Sequence, residues 1–426
     1  MSETVGLKAR PPRADETAMT TGAITITGGP VRASCHGVQR PGVPGLGAGA
    51  GEGRGALGAR DAVAQAVRGL EGRPPALVLT FAGGVLAADD VAQQAACAAG
   101  DAAVAGMTGA SAIGAGGPAD DGCVALALDA TTGVGTGVVQ GASSDLRAAA
   151  RTATADALAG LGGRRATLVM LLVDTASGDQ GDVVAGAYDV AGPHVPLVGG
   201  GAGGDDPAQF AGGRALRDAV VAVALATPSR AGVGIAHGCR PRPGPSIATR
   251  VEGAVVHRLD GFPAEQVYLE RLGLAGTRMD DATFERLAAV HPLGQLELRG
   301  DVRLRHVLGR TPDGGLRCAT RVPPNAPIQF AEQSAATIVA SARTAAEQAV
   351  EQLGARPRAA LIFDCGGRRH ALGGAGAALH AEVDALRGAF GAQPPALAGL
   401  YTRGEIGRVR GARGDRNHAI VVAALA

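Results

Sequence analysis

Tryptophan is absent from the 426-residue chain, and aromatic residues make up only 2% of it. A flat aromatic cofactor would find few rings to stack on, so a small polar ligand suits this composition better. Lysine occurs once, at Lys8, and arginine supplies the rest of the 40 basic residues. With 39 acidic residues the formal net charge is +1, which offers no global attraction for nucleic acid or anionic lipid. The six cysteines include no C-x-x-C pair, so neither a zinc site nor a disulfide framework is expected. No apolar run approaches the roughly 18 residues of a membrane span. The longest, 166–173 and 219–226, are strand-sized. No apolar segment follows Lys8, Arg10 and Arg13, so no signal peptide is read.

The chain does have 68 glycines, and its 46% apolar content excludes a wholly disordered polymer. Residues 1–55, broken by Pro11, Pro12, Pro41 and Pro44, show no sustained periodicity and are read as a disordered Gly/Ala/Pro-rich tail. Order is expected from a helix near residue 59. An internal repeat follows. Strand-like runs at 76–81, 167–173 and 359–363 are each preceded by a helical stretch (59–70, 144–161, 334–353). Each is followed by another helix (89–99, 179–190, 376–390). A short strand then ends in glycines (103–106, 196–200, 397–401), and a last strand closes the unit (122–128, 219–226, 419–425). The expected fold is α/β (mixed α+β): three α-β-α-β-β units with mixed sheets covered by helices, plus a strand-rich segment over about 230–330. The expected division is 1–55, 56–229 and 230–426.

Several positions could carry chemistry. Gly199 and Gly200 are the first glycines of the run LVGGGAGGD, which spans Leu197 to Asp205. It is neither a P-loop, lacking the lysine, nor a dinucleotide fingerprint. Close backbone approach to a ligand and a tight positive-φ turn weigh equally there. Cys365 and Arg368 follow the third strand-like run, where open α/β sheets place ligand groups. Arg368 could hold a carboxylate, and Cys365 could be a small buried residue, a ligand contact or a nucleophile. Tyr401 and Glu405 flank a strand end, and Asn417 precedes the last strand. Asp260 could cap a turn or the following helix. His237 and His291 lack metal spacing.

These motifs occur in an order that resembles FIST-domain proteins, an N-terminal FIST region followed by a FIST C-terminal domain. The match rests on Pro196–Gly203, on Ala231–Gly238 ending in His237-Gly238, and on Val251-Glu252-Gly253. It continues through Leu259-Asp260-Gly261 with Pro263, Ala264 and Tyr268, and through His291-Pro292-Leu293-Gly294. Phe363, Cys365, Arg368, Gly399, Tyr401, Gly404-Glu405-Ile406 and Asn417 complete it. The resemblance implies a cytoplasmic sensory protein that binds a small ligand such as an amino acid or a derivative. Output through a partner protein is expected, with no cofactor, metal, nucleic acid or membrane. Arg368 would meet a ligand carboxylate, and Glu405 or Asp260 an ammonium. The alternatives are an enzyme, a hydrolase or transferase using Cys365, and a ligand-free interaction scaffold.

Overall fold

In the computed structural model, described for residues 45–296, 302–411 and 413–426, the repeat is larger than its sequence signature. Each unit begins one strand earlier. Unit one runs through β1 (Ala48–Arg54), α1 (Gly58–Arg68), β2 (Pro75–Gly83), α2 (Ala88–Ala99) and β3 (Ala103–Gly109). A hairpin of β4 (Ala112–Gly114) and β5 (Gly117–Ala119) follows, and then β6 (Gly122–Asp129). Unit two repeats this order with β7 (Gly133–Gln140), α3 (Leu146–Ala159), β8 (Leu168–Val173), α4 (Gln180–Ala191) and β9 (Leu197–Gly201). It ends with β10 (Gln209–Ala211), β11 (Arg214–Leu216) and β12 (Ala219–Ala226).

Unit three opens with β13 (Gly232–Ala236) and is then interrupted by the strand-rich segment. That insertion contains β14 (Arg240–Pro241), β15 (Ser246–Glu252), β16 (Val255–Leu259), β17 (Phe262–Pro263), α5 (Ala264–Arg271) and α6 (Asp281–Val290). It closes with β18 (Leu293–Leu296), β19 (Val302–Arg305), β20 (Val307–Arg310), β21 (Leu316–Cys318) and β22 (Pro327–Glu332), and its strands form one sheet of their own. The unit resumes with α7 (Ala335–Leu353), β23 (Ala359–Cys365), α8 (Gly366–Ala371), α9 (Ala377–Ala389) and β24 (Ala396–Thr402). It finishes with β25 (Glu405–Arg408), β26 (Asp415–Arg416) and β27 (Ile420–Leu425).

The expectation of a tail up to residue 55 is therefore corrected for residues 48–54. They form β1, paired antiparallel with β6 from Ala48↔Leu128 to Arg54↔Gly122. Its alternating glycines are positional. A Cβ on Gly49, Gly51 or Gly53 would lie 2.1 Å from a backbone carbonyl of α1, so the strand lies directly on the helix backbone. The same device recurs in β7, where Gly135 and Gly137 face the Ala157 and Ala153 carbonyls at 2.0 Å. It recurs again in β13, where Gly232 and Gly234 face the Ala349 and Ala345 carbonyls at 2.0 and 1.8 Å. Alternating glycine thus marks a strand packed on an alanine-rich helix, not an unstructured stretch. The part of the tail expectation covering residues 1–44 lies outside the described residues.

The three sheets have one order: β1-β6-β2-β3, β7-β12-β8-β9 and β13-β27-β23-β24. None is finished by its own hairpin. Hairpin β4–β5 of unit one joins the sheet of unit three, β10–β11 of unit two joins that of unit one, and β25–β26 of unit three joins that of unit two. The exchange is cyclic. Three equivalent backbone bonds close the ring: Ala110 N–H donates to the Tyr401 carbonyl (2.8 Å), Gly203 to Thr108 (3.0 Å) and Arg403 to Gly201 (2.9 Å). The inner faces of all three sheets share one apolar core containing Phe81, Leu172 and Phe363, with Phe81 edge-on to Phe363 at 6.0 Å. Three outer clusters seal the other faces: α1 and α2 over the first sheet, α3 and α4 over the second, α7 and α9 over the third. Among the described residues no helix is long and apolar enough to cross a membrane.

Candidate functional site

The three crossovers that carry the chain from one sheet into the next converge at the C-terminal ends of the parallel strands. They line a cavity of about 730 Å³, with Ala110 from the first, Gly203, Gly204 and Asp205 from the second, and Arg403 and Gly404 from the third. The strand register makes Ala110, Gly203 and Arg403 equivalent. Each lies four residues after the glycine (Gly106, Gly199, Gly399) that faces Thr80, Leu171 or Ile362 across the parallel pair. Those glycines cannot carry a Cβ, which would fall 1.8, 1.9 and 2.2 Å from the facing carbonyls. The turn after β8 adds Thr175, Gly178 and Gln180, and the end of β23 adds Cys365, Gly366, Gly367 and His370. The insertion roofs the space with Glu285 of α6 and with His306, Leu308 and Thr320.

Asp205 and Arg403 are exposed at this cavity, and among the described residues neither side chain has an ion pair or hydrogen bond. Gln180 lies deeper, 4% exposed. Its Nε2 donates to the carbonyls of Arg403 (3.0 Å) and Gly404 (3.2 Å), which clamps the third crossover to unit two. Its Oε1 is buried without a partner. His306 hydrogen-bonds through Nδ1 to His418 Nε2 at 2.7 Å, and burial pulls its pKa down to about 4, so the ring is neutral at pH 7.

Of the positions singled out from sequence, Asp205, Cys365 and Asn417 reach this cavity. Asn417 also holds the roof, accepting from His306 N–H and from the Thr320 hydroxyl, each at 3.3 Å. The Cys365 thiol accepts the N–H group of His418 at 3.3 Å. Burial pushes this thiol well above its ordinary value, the reverse of an activated nucleophile.

The others sit elsewhere. The guanidinium of Arg368, expected to meet a ligand carboxylate, is fully buried and meets protein instead. It bonds Asp364 at 2.7 Å, Glu382 at 2.6 Å, the Ser341 hydroxyl at 2.8 Å and the carbonyls of His237 and Ile338. Burial alone would lower the Arg368 pKa, but the two carboxylates outweigh it and raise it. Tyr401 donates to Glu382 at 2.7 Å in the same cluster. Glu405, expected to meet an ammonium, instead accepts from Thr402 and from Ala419 N–H, and burial raises its pKa to about 8.

Asp260, the other expected ammonium partner, has φ 53° and accepts Ile247 N–H at 2.7 Å, so it fixes a turn of the insertion rather than capping α5. Tyr268 is buried against Phe284 and Phe330 and donates to the His291 carbonyl at 2.6 Å. His237 accepts Cys239 N–H through Nδ1. Gly199 and Gly200 lie within β9, where the constraint is strand contact: a Gly200 Cβ would lie 2.8 Å from the Thr402 methyl. Reading the sequence missed Gln180 and His306, which stand in no motif. It also passed over Arg403, although that residue lies between Tyr401 and Glu405.

A FIST N domain matches residues 76–261, and a FIST C domain matches residues 264–408. The chain belongs to the FIST family. FIST domains are associated with sensory signal transduction. The FIST N match begins at β2 and so leaves out β1, although β1 completes the first sheet. Among curated relatives, uncharacterized protein Mb0898c of Mycobacterium bovis is 31% identical over 227 residues, covering 50% of this chain and 55% of that one. Uncharacterized protein Rv0628c of Mycobacterium tuberculosis is 31% identical over 188 residues, 42% of this chain and 46% of that one. The match thus spans about half the length of these relatives. Among solved structures, T. maritima PurL complexed with FGAR aligns over 89% of this chain and 72% of that one, at 11% identity. Its TM-score of 0.24 is too low to define a common fold.

Proposed function

We propose that this FIST protein is a sensor that binds a small zwitterion of the amino-acid class where the three crossovers meet, and that it signals through a partner protein. The observation that carries this reading is Arg403 on the same cavity of about 730 Å³ as the carboxylates Asp205 and Glu285, none of the three paired among the described residues. Opposite charges left unpaired among the described residues suit an ammonium and a carboxylate on one ligand, and the partly enclosed wall strengthens both attractions. The carboxylate contact expected of Arg368 passes to Arg403, the cavity's exposed guanidinium. A thermal-shift screen of amino acids on the full chain tests the reading. A ligand at a hundred times its Kd stabilises by about 2.7 kcal/mol. Arg403→Ala and Asp205→Ala should each remove the shift while leaving the ligand-free melting point unchanged. A hit that survives both substitutions would sink the assignment. Affinity capture with and without the hit tests the output partner, and the same proteins in both states would count against ligand-gated signalling.

A further inference from the structure

We propose that the inner wall of the cavity is built for a neutral carboxamide group, so that the zwitterion carries a side-chain amide. The inference rests on the amino-acid reading above and on two protein groups whose hydrogen-bonding sense the surrounding structure fixes. The first is Gln180. Its amide orientation is set by two carbonyls, Arg403 and Gly404, which can only accept, so Nε2 faces them and Oε1 is the atom left over. That oxygen is buried, without a partner, on a residue lining the cavity. A buried acceptor left empty is costly, so this one calls for a donor.

The second group is His306, fixed through a chain of three bonds. The Ala289 carbonyl accepts from Gln333 Nε2 at 2.8 Å, which orients that amide. The same Nε2 lies 3.1 Å from His418 Nδ1, which must accept. Neutral His418 then carries its proton on Nε2 and donates it to His306 Nδ1. His306 is left with its own proton on Nε2, a nitrogen with no acceptor among the described residues, on a ring that lines the cavity. The wall therefore offers one acceptor and one donor from separate elements. A carboxamide answers with an N–H for Gln180 and a carbonyl for His306. A carboxylate has no donor, an aliphatic side chain has neither, and an ester has only the carbonyl.

Titration calorimetry on the full chain tests this with L-glutamine, L-asparagine, L-glutamate, glutamate 5-methyl ester and L-norvaline. One of the two amides should bind at least about tenfold more tightly than the ester and norvaline, the size of one net hydrogen bond. Gln180→Met should narrow the amide-to-ester gap, with folding checked by circular dichroism. The comparison among ligands on the unaltered chain decides the matter if that variant does not fold. Equal binding of all five would overturn the carboxamide inference and leave the zwitterion reading standing. Binding of glutaramate in preference to glutarate, with no amino acid bound, would uphold the carboxamide site and sink the zwitterion. Binding of none would overturn both.

Discussion

Arg368 and Glu405 show what burial does to charge in this molecule. Arg368 is the cation between Asp364 and Glu382, all three out of water. Removing it leaves carboxylates uncompensated, so Arg368→Met should destabilise the fold by about 3–5 kcal/mol, read from urea unfolding. Glu405 behaves differently. Its folded pKa of about 8 lies above the ordinary carboxyl value, so the native state binds the extra proton. Stability should fall as pH rises from about 4.5 to 8 and level off beyond, with a slope of at most about 1.4 kcal/mol per pH unit from this group. The groups around it are Asp364, which is raised in the same sense, the Cys365 thiol and the Arg368 cation. Glu405→Gln should flatten the slope in part. A pH profile identical to that of the parent would show that Glu405 is not the titrating group. The raised Cys365 thiol should also resist iodoacetamide below pH 8 while exposed Cys97 reacts, as peptide mass mapping would report.

At the scale of elements, strands rich in Val, Leu and Ile were legible because nothing else in the chain resembles them. Runs such as Leu168–Val173 and Ile420–Leu425 are buried at every position. Of the glycine strands, β13 was legible as a short strand through Val233 and Ile235, whereas β1 and β7 were not, because alternation of glycine with small or polar residues carries little hydrophobic signal. Their cause lies across space, in a helix backbone that leaves no room for a Cβ. Gly51→Ala should therefore cost about 1–3 kcal/mol through strand displacement, whereas Gly45→Ala, whose Cβ would meet nothing within 4 Å, should be neutral in the same unfolding assay. The site was legible only in part for a related reason. Motif residues such as Arg368, Tyr401 and Glu405 are distinctive because they build the buried support behind the strand ends. Gln180 and His306 acquire meaning only from neighbours far away in sequence, at Gly404 and His418.

Among the described residues the three units close a ring in which each unit's own sheet borrows its outer hairpin from another unit, while the insertion keeps a sheet to itself. A fragment ending at residue 229 would keep unit two but lose β25–β26 from its sheet, and would leave β4–β5 without the sheet it joins. Such a fragment should be insoluble or unfolded when expressed alone, and should recover a cooperative melt when co-expressed with residues 230–426. Independent folding of either piece, judged by a sharp thermal transition, would contradict the exchange. Unpaired strand edges in the isolated piece give the physical reason for its aggregation.

The convergence of the crossovers has a mechanical consequence. The turns at Ala110, Gly203 and Arg403 are the points where one sheet hands the chain to the next, and three equivalent bonds of 2.8–3.0 Å lace them together. A molecule seated among them would act as a keystone. Tightening any one turn pulls on two sheets, and through the closed ring on the third. A small event at this spot would therefore bear on all three sheets at once.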